Sequence, residues 1–180
     1  QFKGDGLDLR FQTSSGIECK YEIVEWNPEG ESLVWVRVPN LSVGDKVVMR
    51  WGNPDATEPE FTSNGEAWPG YFGVYHLDEA SGPATDSSPE GNYLTEINDG
   101  GLPAAATGII SGARSTVKNL NQGFGASGIT GASTAGEFTV ATWATTVTGS
   151  EDSKDWWGMQ LNNNNGHHIR MEVSNGTARP

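Results

Sequence analysis

The chain has 180 residues, with 24 Gly and only 35 % hydrophobic side chains. That composition suits an all-β protein of short strands and long polar loops better than a helical bundle. A net charge of −12, from 11 basic and 23 acidic side chains, repels nucleic-acid phosphates and anionic lipid and sets nucleic acid aside as a partner. The single Cys19 excludes an intramolecular disulfide and any cysteine-based zinc site.

Seven Trp argue against disorder, because such side chains bury large areas in cores or on sugar platforms. No apolar run approaches the length of a transmembrane helix, so membrane attachment is expected only through sequence outside this chain. Gln1-Phe2-Lys3-Gly4 lacks the apolar region of a signal peptide. The sequence therefore reads as a mature form or an excised piece of an exported protein. Its acidity suits salty surroundings, where a divalent cation would relieve part of the repulsion.

From the N-terminus, residues 1–52 read as successive strands. Leu7, Leu9 and Phe11 alternate with Asp8 and Arg10, and Tyr21 and Ile23 alternate again after a turn at 14–16. Asn27-Pro28-Glu29-Gly30 is a turn. Residues 33–38 (LVWVRV) and 46–51 (KVVMRW) are the next strands, separated by a loop at 39–45. No helical periodicity is present.

These strands also resemble a known pattern. Asp8-Leu9-Arg10-Phe11, Tyr21-Glu22-Ile23 through Trp26, Val34-Trp35-Val36-Arg37-Val38-Pro39 and Trp51-Gly52-Asn53-Pro54 resemble an uncharacterised bacterial β-domain family. That family is also found in the exported part of MotA/TolQ/ExbB-type proton-channel proteins. The resemblance implies an N-terminal β-domain over 1–55 with no assigned chemistry, and a laminin-G-like module after it. Residues 56–70, rich in Pro and Gly and without alternation, are expected to be a linker that Phe61 or Trp68 pins to one side.

In 71–77 (YFGVYHL), Phe72, Val74 and His76 alternate with Gly73, Tyr75 and Leu77, the pattern of a half-buried strand. Two carboxylates, Asp78 and Glu79, follow it, then Ser81-Gly82-Pro83 and Asp86-Ser87-Ser88-Pro89, residues that favour turns. The run Tyr75-His76-Leu77-Asp78-Glu79, Ser81-Gly82, Asp86-Ser87-Ser88 and Gly91-Asn92 resembles the first strand and loop of bacterial laminin-G/concanavalin A-like jelly rolls. Pro89-Glu90 is an insertion relative to that pattern. The same family's F-T-V-x-x-W strand resembles Phe138-Thr139-Val140-Ala141-Thr142-Trp143. The resemblance implies a partial concanavalin A-like β-sandwich over 71–180.

Residues 112–117 are expected to form a strand, and 156–161 to pair with 168–173 across the Asn-rich loop 162–166. A complete sandwich of this kind has further strands, so the sheet is expected to expose edges unless a partner or further sequence covers them.

Three chemistries compete. Calcium takes six to eight oxygen ligands, and Asp78, Asp86, Asn92 and Asp99 lie in or near the acidic loop as a candidate site; the competing reading has Asp86 and its serines making local turns while Asp78 faces water. Glycan is the second candidate ligand, with Trp156, Trp157, Asn163 and His167 around one hairpin. Neighbouring strand residues face opposite sides, so Trp156 and Trp157 can share a platform only if a bulge intervenes. Catalysis is the third, and no residue is assigned to it. Retaining glycosidases hold two carboxylates about 5 Å apart, commonly as E-x-D-x-E on one strand face, and no such pattern occurs.

The expected function is a non-catalytic binding or scaffolding region of an exported bacterial protein, periplasmic or at the cell surface, with glycan or protein as its partner. One alternative is the periplasmic region of a proton-channel energiser; another is an accessory module of a carbohydrate-active enzyme.

Overall fold

The apolar half of the alternation at the N-terminus forms the core of a small set of antiparallel sheets. The structure, a computed structural model, describes residues 3–98, 101–117, 122–126, 139–144, 154–161, 167–174 and 177–179. Apart from one 3-10 turn at Glu60–Thr62, the elements among these residues are strands. The chain divides into two compact units, 1–131 and 132–180.

In the first unit, β1 (Arg10–Thr13) lies between β2 (Glu18–Cys19) and β5 (Val47–Arg50), in the order β2-β1-β5. β3 (Tyr21–Glu25) pairs with β4 (Leu33–Val36), setting Tyr21 against Val36, Glu22 against Trp35 and Ile23 against Val34. Because side chains alternate across a strand, this hairpin has two faces. Tyr21, Ile23, Val34 and Val36 lie against Leu9, Phe11, Cys19 and Phe61, while Glu22 and Trp35 share the other side.

Tyr21 anchors the core. Its ring meets Phe11 at 5.1 Å and Phe61 at 5.2 Å, both edge to face, contacts that add about 0.5–1.5 kcal/mol each beyond area burial. Its hydroxyl donates to the carbonyl of Leu9 at 2.6 Å. Phe61 comes from the stretch expected to be a linker, and Lys20 Nζ lies 4.3 Å above its ring.

The motifs behind the N-terminal resemblance are joined to one another. Asp8 is buried, and its carboxylate accepts N–H bonds from Lys3 and from Gly52, which has a φ of +91°. Burial would raise the Asp8 pKa, but these backbone donors outweigh it and hold it below the usual value. Arg10 reaches the carbonyls of Leu7 and Thr57, so the residues after Trp51 are tied back to the first strand.

The expected strand at 71–77 does not form. Among the described residues this stretch has no ladder partner, and Leu77 takes a φ of +59°. Its backbone groups are claimed by the following loop instead: Val74 N–H donates to Asp86 Oδ1 at 2.8 Å, and Val74 O accepts from Ser87 N–H at 2.9 Å. A loop carboxylate has taken the place of a neighbouring strand.

Further along, β6 (Thr95–Asn98) pairs with β9 (Gln122–Gly125), and β7 (Ala104–Thr107) with β8 (Gly112–Ser115). The fully enclosed Arg114 side chain links them by donating to Glu96, to Pro103 O at 2.9 Å and to the carbonyls of Glu79 and Gly82 at 3.3 Å.

In the second unit, residues 139–144 are not a strand, so this part of the expected strand is corrected; Phe138 lies outside the described residues. The expected hairpin is present. β10 (Lys154–Leu161) pairs antiparallel with β11 (His167–Ser174), Leu161 opposite His167, and β12 (Thr177–Arg179) extends the sheet. The register shifts between Asp155 and Trp157, the irregularity at which strict alternation lapses.

Candidate functional site

The side of the β3–β4 hairpin away from the core carries a buried polar junction. Glu22 Oε2 accepts from Trp68 Nε1 at 2.5 Å and lies 3.1 Å from His76 Nε2, and its Oε1 accepts from the Ser87 hydroxyl at 2.6 Å. The Glu22 and His76 side chains are only 17 % and 16 % exposed, so water scarcely competes with these bonds. Four separate segments converge here: strand β3, the 59–70 stretch, the irregular 71–77 stretch and the acidic loop.

Burial and hydrogen bonding oppose each other at both members of the pair. Burial alone would raise the Glu22 pKa, but the donors from His76, Ser87 and Trp68 hold it below the ordinary value. Burial would lower that of His76, yet its bond to Glu22 and the charges of Glu22, Asp78 and Glu79 raise it. The junction favours a carboxylate facing an imidazolium.

Beside it lies a pocket of about 240 Å³ lined by Glu22, Ile23, Val24, His76, Asp78, Glu79, Thr85 and Ser87. Aromatic rings continue from the Glu22–His76 junction. Trp68 is 6.1 Å from His76, and its ring meets Trp35 and Tyr71 edge to face, each at 5.5 Å. Trp35 and Tyr71 are 36 % and 54 % exposed. The steep angles between rings give separate stacking faces rather than one flat bench.

The candidate calcium ligands have different fates. Asp86 and Asn92 are together and buried, but Asp86 is engaged by protein donors. Its Oδ1 accepts from the N–H groups of Val74 and Ser88, and its Oδ2 from Asn92 N–H at 2.7 Å and the Ser88 hydroxyl at 2.8 Å. Asn92 also donates from its amide to Phe72 O, and its carbonyl accepts from Tyr75. Burial, with the Asp86 charge, pushes the Tyr75 hydroxyl up to about 12. Asp78 lines the pocket and is exposed; Asp99 lies outside the described residues. Among those residues, no three His, Cys, Asp or Glu side chains are grouped to hold a metal ion.

Of the residues considered for glycan, Trp156 and Trp157 lie in β10 at the register shift, His167 begins β11, and Asn163 lies outside the described residues. Reading the sequence missed Glu22, Trp35, Trp68, His76 and Ser87 as site residues. One signal was available: the strand alternation that buries Tyr21 and Ile23 turns Glu22 and Trp35 to a common outer face.

Residues 5–92 match the family model described as a domain of unknown function (DUF2341). The DUF2341 match takes in β1–β5, the 56–70 stretch and the acidic loop as far as Asn92. Glu22, Trp35, Trp68, His76 and Ser87 all fall inside it, as does the stretch that resembles the start of a jelly roll. Comparisons with curated proteins and with solved structures give no match.

Proposed function

We propose that this chain is a non-catalytic binding region of an exported bacterial protein, and that its ligand is a glycan held at the Glu22–His76 pocket. The observation that carries this reading is the junction of a small polar pocket with partly exposed rings. The pocket supplies hydroxyl-bonding groups from His76, Asp78, Glu79 and Thr85, and Trp35 and Tyr71, which pack on the Trp68 ring at the same Glu22 junction, supply apolar faces. At about 240 Å³ it falls below the roughly 300–1,000 Å³ of drug-sized ligand sites, a size suited to one sugar ring of a longer chain.

In this reading Glu22 serves to hold His76 in place rather than to deliver a proton. Both its oxygens are engaged, and its pKa lies below the ordinary value, so it is a poor proton donor near neutral pH. A glycan array probed with the full chain and with Trp35→Ala and Tyr71→Ala variants tests the proposal. The expected result is retention of a defined glycan class by the parent chain, weakened in either variant with melting unchanged. Retention of no glycan, or equal retention by all three proteins, would overturn it.

A further inference from the structure

Strand β5 is an edge with an unusual arrangement of groups. Ser14 N–H donates to Lys46 O, and Thr13 N–H donates to Ile17 O on the other side. Combined with the registers of β1 against β5 and β2, this means that even-numbered β1 residues bond β5 while odd-numbered ones bond β2. The N–H and C=O groups of Val47 and Met49, opposite Thr13 and Phe11, therefore point away from β1. No described strand lies on that side.

The side chains there are also open. Val47, Val48 and Met49 are 42 %, 37 % and 42 % exposed, although Met49 is opposite the core residue Phe11. Lys46 and Arg50 bracket this apolar triplet, sharing a face with Val48. Neither has an ion-pair partner among the described residues, in a chain where acids outnumber bases 23 to 11.

We infer that β5 is a docking edge for an extended segment of another protein, one in which carboxylates flank a short apolar run. Such a segment would add a strand through the outward groups of Val47 and Met49, the main-chain mode of strand addition. Its carboxylates would stand opposite Lys46 and Arg50, and its apolar residues would cover Val47, Val48 and Met49.

The flanking charges select against the other natural occupant. A second copy pairing antiparallel about Val48 would set Lys46 opposite Arg50 at both ends, and a parallel copy would bring like residues together. Like charges directly opposite are destabilising, whereas opposite pairs contribute about 0.2–1 kcal/mol each. The competing role for Lys46 and Arg50 is simply to keep the edge unpaired, and it predicts no strand addition at all.

The test uses the full chain and a short capped peptide in which two glutamates flank valine–threonine–valine, with a lysine-flanked peptide as control. Amide hydrogen exchange is followed at Val47 and Met49. The glutamate peptide should slow both amides by about tenfold or more, and the lysine peptide should not, since reversing two cross-strand pairs changes affinity by about this factor. In the double variant Lys46→Glu/Arg50→Glu the preference should invert. Met49→Pro removes an outward donor while sparing the β1 bonds, and should abolish docking without loss of fold. The inference is overturned if neither peptide protects these amides, if both do so equally, if the amides are already protected without peptide, or if sedimentation shows the edge taken by a second copy.

Discussion

Asp86→Asn is the substitution whose outcome follows most directly from the geometry. The Asp86 carboxylate is 7 % exposed and accepts four hydrogen bonds. An asparagine amide can keep its oxygen towards the N–H groups of Val74 and Ser88, but its NH2 then faces the N–H of Asn92. The Ser88 hydroxyl can turn to accept, whereas the backbone N–H cannot. Stranding one buried donor costs about 1–3 kcal/mol, and losing charge assistance in the two remaining bonds adds about 1 kcal/mol each. The sum, about 3–5 kcal/mol, corresponds to a fall in melting temperature of roughly 10–20 °C for a unit of this size. Thermal unfolding with calcium and with chelator, with exchange measured at the Asn92 amide, reads both the size and the cause. Asp78→Asn, at an exposed carboxylate, should change stability by no more than about 0.5 kcal/mol. The reasoning fails if Asp86→Asn melts within a degree or so of the parent chain, if Asp78→Asn costs as much, or if the Asp86 effect appears only with calcium.

Three further outcomes are expected. The stabilisation from raised His76 is fully present below its reference value of 6.5 and lost as pH climbs through the raised folded value. That from lowered Glu22 is present above 4.5 and lost as pH falls through its lowered one; urea unfolding should show the pair contributing fully between these limits, with His76→Gln flattening the alkaline side. Arg114→Ala leaves Glu96, only 10 % exposed, without its cation and should cost about 3–5 kcal/mol, while Arg114→Met with Glu96→Leu should regain most of it in chemical denaturation. Gly65→Ala should cost about 1–3 kcal/mol: Gly65 has a φ of +80°, and a Cβ there would stand 2.5 Å from the backbone nitrogen of Pro89. Exchange at the Asn92 amide should then accelerate, because the clash falls on the neighbouring turn.

The strands that sequence reading located best are those with one face on the core. Tyr21 and Ile23 point inward and Glu22 outward because a strand's side chains alternate, so the pattern of residue types carried both the element and its orientation. At 71–77 the same alternation was misleading. Nothing in the local pattern revealed that Asp86, twelve positions away, would capture Val74 N–H and take the place of a strand partner. The Glu22 junction was hidden for a similar reason. Its donors Trp68, His76 and Ser87 are 46, 54 and 65 positions distant, and read singly they are a linker residue, a strand residue and a turn residue. The hairpin of β10 and β11 was legible because its turn chemistry and its flanking runs are adjacent in the chain.

The placement of Phe61 has a practical consequence. Its neighbourhood is mostly exposed and irregular, the kind of segment that proteases cut, and a cut there would ordinarily be expected to release separable pieces. Here the phenyl ring is a stopper seated against Tyr21, so nicking the surface beside it and letting it drift out would uncork the cluster of Leu9, Phe11 and Cys19. Water would then reach the thiol of Cys19, which is now shielded, and a thiol-reactive dye would report the opening.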